Sequence, residues 1–511
     1  MKIISAKSFF RLAIAAVFLA VIVLGVHYFW RWKAQEYRRQ LQASGEKLTV
    51  AELTPAPVSA EQNGAASFQQ AAAALTSPGA VLKANPPSAK RMVGPGKAMV
   101  GWAQPDLRDE TDRVTNSWKD LEEDLGREAE ALQILRQLTN YSALDFGVNY
   151  DLASDKLGDQ LVPEKLAAQS LAADAELALH KGDTEAAASD LRAILTIVKD
   201  TQDERIVISQ LVRIALTEIA LNSTWEFLQS PRLTEDQLAA VQNVWSQLEF
   251  RQAAENALMM ERAMDEVMLH EIRSSSEAFR KTFGQSENTD WLGRANLKSK
   301  QIAWRLWWSH PDELRTLKGF QVLLDGARFV QTNYAFRSKV FQQRTDLAEL
   351  GINSLTNEEW WAIGLANPTL RSFFSQGVST LAGYLSAIEK VETCRQMVIT
   401  ALALKRYQLK RGKYAPELAA LVPEFLPAVP RDPIDGKPLR YQLVGSTYLL
   451  YSIGEDGVDN GGDPVPASSS ANVSNWMQGR DTVWPLPATE QEIQAYQNTL
   501  SFKGQSKPIH K

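Results

Sequence analysis

The 511-residue chain carries one cysteine, Cys394, and five histidines. A single thiol excludes an internal disulfide, a cysteine-rich zinc site and a redox pair. Its apolar helical surroundings predict a small buried hydrophobe rather than a reactive thiol. Histidine chemistry is equally sparse. His180 and His310 have no partner at ligand spacing. Glu266 and His270 stand one helical turn apart, but Arg262 occupies the turn before them. One Glu and one His make half a metal site, and a charge-paired helix face is the plainer reading. Positive charge is not in excess: the net charge is −5, so nothing supports a nucleic-acid surface, and no nucleic-acid partner is expected. The segment VGPGK at 93–97 lacks the spacing and the Ser/Thr of a phosphate loop. No nucleophile–base pair and no pair of facing carboxylates emerges from the spacing, so no enzymatic activity is evident; an envelope hydrolase stays as an alternative.

Long apolar runs are confined to the start. Leu12 to Trp30 (LAIAAVFLAVIVLGVHYFW) is long enough to cross a bilayer as a helix. Lys2, Lys7 and Arg11 precede it, and Tyr28, Phe29, Trp30 and Trp32 form an aromatic collar at its far end. His27, beside the collar, reads as an interface residue. The exit, HYFWRWK, has no small-residue cleavage pattern, so a retained signal anchor is expected rather than a removed signal peptide. Positive charge lies on both flanks. We expect a single-pass protein of the inner (cytoplasmic) membrane, partnered with lipid through residues 12–30 and with its bulk periplasmic or otherwise extracytoplasmic.

Beyond the anchor, Pro55, Pro57, Gly64 and the Pro/Gly-dense stretch from Ser77 to Pro105 predict a spacer and a loop along the body, without long helices or central strands. Helical periodicity takes over at Asn116. KLAAQSLAADAELALHKGD and TEAAASDLRAILTIVKD predict a tetratricopeptide-like helical hairpin. Gly182 ends its first helix and Asp183 caps its second. Pro231 breaks the next helix, and Thr234 with Gln237 supplies a capping box for one running from Glu235 to about Arg280. Residues 284–302 read as a polar connection. Trp304, Trp307, Trp308, Trp360 and Trp361 read as core packing. A long helix is expected from Leu370 to Arg411, interrupted near Gly377 or Gly383 and closed by Gly412.

The end of the chain changes grammar. Turns at Asp432-Pro433 and Asp435-Gly436 lead into a strand at Leu439 to Leu443, and STYLLYSIG supplies its hairpin partner. An acidic loop follows, with Glu455, Asp456, Asp459 and Asp463 interleaved with Gly457, Gly461 and Gly462. Clustered carboxylates repel unless water or a cation screens them. Calcium takes oxygen ligands of this kind, and a structural calcium site is one reading of the loop. The other is a solvated acidic turn. An EF-hand is excluded, since Asp456 as position 1 puts Val458 at position 3 and Ala467 at position 12.

GKYAPELAALVPEFLPAVPRDPIDGKPLRY followed by YLLYSIGEDGVDNGGDP resembles the carboxy-terminal domain of the type II secretion major pseudopilin. The resemblance implies a small α+β module over 391–486 and a calcium site in the loop. Asp456, Asp459 and Asp463 would be its ligands, and Asp481 a more distant one. The plan of the whole chain resembles bacterial membrane-anchored proteins that join a helical region to this type of module. The expected fold is therefore mainly α: an anchor at 1–35, a spacer at 36–115, an irregular helical bundle with the hairpin at 116–390, the α+β module at 391–486, and a short helix and tail at 487–511. The expected role is a membrane-anchored scaffold that binds a protein partner, with a secretion or pilus-like assembly component as the alternative.

Overall fold

The computed structural model describes residues 6–75, 91–108, 115–150, 158–283, 291–333, 336–352, 373–454, 456–466, 477 and 479–505. The chain is mainly helical, with small sheets, and the expected class is the one observed. Its first element is α1 (Ala6–Ala43), 38 residues without a break. At 1.5 Å per residue it spans about 57 Å, nearly twice the ~30 Å hydrocarbon thickness of a bilayer. It is long and apolar enough to cross a membrane, and it exposes Phe10, Ile14, Phe18 and Val21.

The helical hairpin forms as the alanines and the turn dictate. α2 (Leu161–Lys181) and α3 (Thr184–Asp200) pack antiparallel. Gly182 closes α2 at φ 78°, and the Asp183 side chain accepts the Ala186 N–H. Ala168, Leu171, Ala187 and Leu191 are fully buried in the hairpin. α4 (Val207–Leu228) lies against both helices.

The helix expected from Glu235 to Arg280 is three helices. α5 (Glu235–Gln247) has the predicted Thr234–Gln237 capping box. Leu248 then turns extended, and the Glu249 side chain accepts the N–H groups of Arg251 and Gln252 to start α6 (Arg251–Ser274). Ser275 is extended too, and α7 (Ser276–Phe283) follows. A side-chain cap at Glu249, with no glycine or proline nearby, hid the first break from the apolar pattern.

The polar connection expected at 284–302 is corrected over 291–302, while residues 284–290 lie outside the described residues. α8 (Trp291–Ala303) is helical, continues through a π turn at Trp304–Trp308 and passes into α9 (Ser309–Asn333). Trp304 is fully buried and Trp308 half-buried, as core packing requires, whereas Trp307 is 37% exposed. Trp360 and Trp361 lie outside the described residues. The last long helix is interrupted at Leu381–Gly383 and resumes as α10 (Tyr384–Arg411), with Gly412 at φ 73°. Cys394 is buried.

The Pro/Gly-rich segment holds a strand pair that its composition concealed. β1 (Met92–Gly94) and β2 (Lys97–Ala98) form a hairpin. The hairpin of the terminal module is β3 (Arg440–Val444) and β4 (Thr447–Ser452), with Arg440 opposite Tyr451. β5 (Thr482–Val483) pairs with β4, and β6 (Leu486–Pro487) runs parallel to β2. β2 is thus a central strand, contrary to the expectation of none in this segment. One apolar cluster includes Phe68, Leu171, Trp225, Trp245, Leu402, Leu450 and Trp484, so the helices and the terminal sheet share a core. Trp225 is fully buried, and its indole N–H donates to the Pro485 carbonyl at 2.8 Å. Burial of each such side chain contributes about 1.5–3 kcal/mol, and the hydrogen bond satisfies its polar atom.

Candidate functional site

Two places gather the polar chemistry: the acidic loop and the junction where α1 enters the body. In the loop, Asp481 is fully buried at the head of β5. Its carboxylate accepts the backbone N–H groups of Asn460, Gly462 and Asp463, at 2.7 Å from Gly462. Burial raises its pKa, and those three amides pull against that rise. Gly462 sits at φ 82°, and a Cβ there would meet Leu449 at 2.8 Å. Glycine is needed for the loop to wrap onto Asp481.

The other three carboxylates are also engaged. Asp459 accepts the Tyr451 hydroxyl at 3.0 Å, the Gly461 amide at 3.1 Å and Arg440 at 3.3 Å, and its pKa is lowered, first by the Gly461 amide. Asp463 accepts the Val465 amide and Arg480. Asp456 accepts the Val458 amide and the Asn460 side-chain amide. Glu455 lies outside the described residues. The structure thus brings Asp481 under the loop and links Asp459 and Asp463 to arginines. Among the described residues no three Asp, Glu, His or Cys side chains are placed to hold a metal ion. In this arrangement arginines and amides contact carboxylate oxygens that a calcium ion would use.

A second hub lies beneath the sheet, and the sequence reading saw it only as a turn. Asp432 is fully buried. It accepts the amides of Ile434 and Ile453, the Ser452 hydroxyl and Arg440. Arg440 also reaches Asp435 at 2.7 Å, so one guanidinium joins the DP turn, the DG turn and the acidic loop. The signal was present in RDPIDGKPLRY: two turn aspartates followed by an arginine on the adjoining strand.

At the junction, the lower half of α1 turns Ala34, Tyr37, Arg38 and Leu41 toward α6 and α9, a helical spacing that the anchor reading left unused. Arg38 donates to both Glu266 and Glu313. Glu313 also accepts Arg273 at 2.7 Å and His310 at 2.9 Å. Burial pushes Glu313 up, but the His310 hydrogen bond and the Arg273 and Arg38 charges outweigh it, and its pKa lies below the usual range. Burial and the Glu313 charge raise Glu266. Just past α1, Glu46 accepts Arg262 at 2.7 Å and Arg328. Glu266 is therefore occupied by Arg38, while His270 is exposed, and the two form no site together. His180 stacks on Trp118 at 4.0 Å and meets the Trp102 carbonyl at 2.8 Å.

A cavity of about 150 Å³ lies between α4 and α10, lined by Ile214, Thr217, Glu218, Lys390, Cys394 and Met477 among others. Burial pushes the Cys394 thiol far up, which makes it inert as a nucleophile at neutral pH. Another buried acid pair, Glu164 and Glu204, is raised by burial, with the Glu204 charge adding to the rise at Glu164. A comparison of the chain with family models, with curated proteins and with solved structures finds no match in any of the three.

Proposed function

We propose that this chain is a single-pass membrane-anchored scaffold whose helical body binds a protein partner outside the cytoplasm. One observation carries the reading. The membrane-length helix runs unbroken into the body and is clamped there by Arg38 on Glu266 and Glu313, with the Glu46–Arg262–Arg328 cluster just beyond. A retained helix clamped in this way holds the body at a fixed distance from the bilayer. The body then presents its helices and terminal sheet as one unit with a shared core. The cavity and the buried acids described above pair no nucleophile with a base, so binding is favoured over catalysis. Cross-linking of the full chain in native membranes, followed by purification, recovers one defined partner in stoichiometric amount. Recovery of abundant bystanders alone would remove the scaffold role.

A further inference from the structure

The cavity between α4 and α10 is built from two matching stripes. On α4 it takes Ile214, Thr217, Glu218 and Leu221, and on α10 Ala387, Lys390, Val391 and Cys394. Both sets follow the i, i+3, i+4, i+7 spacing of one helical face, so two faces oppose each other. Packed helices ordinarily interdigitate and leave few voids larger than a water molecule. Here small side chains, Thr217 on one stripe and Ala387 and Cys394 on the other, leave about 150 Å³ open.

The inner wall suits an apolar group. Thr217, Leu221, Val391 and Cys394 are buried. The Thr217 hydroxyl already donates to the Arg213 carbonyl at 2.8 Å, and the Cys394 thiol contacts the Met477 sulfur at 3.2 Å. The wall therefore demands no further polar partner. An apolar void of ~150 Å³ accommodates a benzene-sized group, which is the size of a branched aliphatic or phenyl side chain.

The mouth carries both signs of charge. Glu218 is exposed and Lys390 half-buried, whereas Leu221 and Cys394, one turn further along each helix, are buried. The Lys390 charge acts on Glu218, and among the described residues no donor closes a hydrogen bond to the Glu218 carboxylate. A lone amine at this mouth is repelled by Lys390, and a lone carboxylate by Glu218. A zwitterion answers both, with its ammonium donating to Glu218 and its carboxylate accepting from Lys390. Lysine has three N–H donors, so this contact adds to others that Lys390 makes.

We propose that the cavity is a binding site for a free α-amino acid with a compact apolar side chain, of the size of leucine or phenylalanine. The side chain fills the void, and the two charged groups rest on Glu218 and Lys390. A smaller cavity shares Lys390, Cys394 and Met477 and continues to Ile434 and Thr482 of the terminal module. Occupancy thus bears on α4, α10 and the module together. The site uses no residue of α1 and stands apart from the anchor reading.

The test titrates the purified full chain in detergent with L-leucine and L-phenylalanine by calorimetry, against glycine, isocaproate and isoamylamine. At least one of the two apolar amino acids binds saturably and raises the melting temperature. Glycine lacks the side chain, isocaproate the ammonium and isoamylamine the carboxylate. Each binds weaker by about tenfold or more, the worth of a lost charged hydrogen bond or a lost buried side chain. Glu218→Gln, at an exposed position that leaves the fold intact, weakens the amino acid by a similar factor and does not weaken isocaproate. Ala387→Phe fills the void and abolishes binding, with the unliganded melting temperature checking its fold. Glycine binding as tightly as the apolar amino acid would overturn the side-chain pocket. Isocaproate or isoamylamine binding as tightly would overturn recognition of a zwitterion. An affinity that ignores Glu218→Gln would overturn the placement at this mouth, and no saturable binding of either amino acid would overturn the site.

Discussion

Arg262 is completely buried, and its guanidinium donates to Glu46 across 2.7 Å. Glu46 lies three residues beyond α1, and Arg262 is in the middle of α6. This pair, with Arg328 on the other side of the carboxylate, ties the exit of the anchor helix to the body. Removing one partner of a buried ion pair leaves the other charge uncompensated, which costs about 3–5 kcal/mol. Arg262→Ala therefore lowers the unfolding free energy by about 3 kcal/mol, the low end of that range, since Arg328 still faces Glu46. Denaturant titration of the full chain in detergent measures it. A loss below about 1 kcal/mol, typical of an exposed pair, would contradict the clamp.

The same carboxylate sets an acid limit. Burial opposes the charge on Glu46, but hydrogen bonds from Arg328 and Arg262 win, and its pKa falls from 4.5 to about 2. A depressed acid stabilises the fold above its unfolded pKa, and that stabilisation is lost as pH falls through the folded value. Docking of α1 is thus expected to weaken between pH 4.5 and 2. Spin labels at Arg39→Cys and Leu409→Cys report the distance between α1 and the far end of α10. The distribution broadens within that window and not at higher pH. A narrow distribution throughout would show that Glu46 is not what holds the helix.

In the terminal loop, the buried Asp481 carboxylate accepts three backbone amides. Asp481→Ala strands three backbone N–H groups, of which the loop can rehydrate some. The expected cost is about 2–4 kcal/mol, from roughly 1–3 kcal/mol per unsatisfied buried donor. Asp481→Asn keeps one acceptor oxygen and costs less. Calcium or chelator shifts the melting temperature of the full chain very little, because Arg440 and Arg480 already neutralise Asp459 and Asp463. A calcium-dependent rise that Asp456→Ala abolishes would instead restore the calcium site implied by the pseudopilin resemblance.

Glu164 is buried, one of its oxygens has no hydrogen-bond partner, and burial with the nearby Glu204 raises its pKa. A raised acid loses stability as pH climbs from the unfolded pKa toward the folded one. Glu164→Gln removes that loss. It leaves the melting temperature unchanged near pH 4 and raises it at pH 8. A drop at pH 8 would mean that the charged carboxylate has an unseen partner.

Much of the fold was legible because short-range rules governed it. Gly182, Asp183, Thr234, Gln237 and Gly412 act at the positions their types suggest. The α1 span and the β3–β4 hairpin follow from apolar run length and strand composition. What stayed hidden depends on contacts distant in sequence. Leu248–Phe250 looks helical by period, and the break rests on the Glu249 cap. β2 is two residues long and becomes a central strand only because Leu486 and Pro487 lie beside it. The aspartates of the loop were visible, but Arg440 and Arg480, which neutralise two of them, come from 19 and 17 residues away. Arg38 likewise meets Glu266 and Glu313 across more than 200 residues, a pairing that no local pattern announces.

The central claim is that α1 stays on the mature protein and in the bilayer. Alkaline carbonate extraction of native membranes, with intact-mass analysis of the retained chain, tests it directly. The expected result is a pelleted species whose mass includes residues 12–30. A soluble species beginning after Trp30 would make the helix a leader and end the scaffold reading.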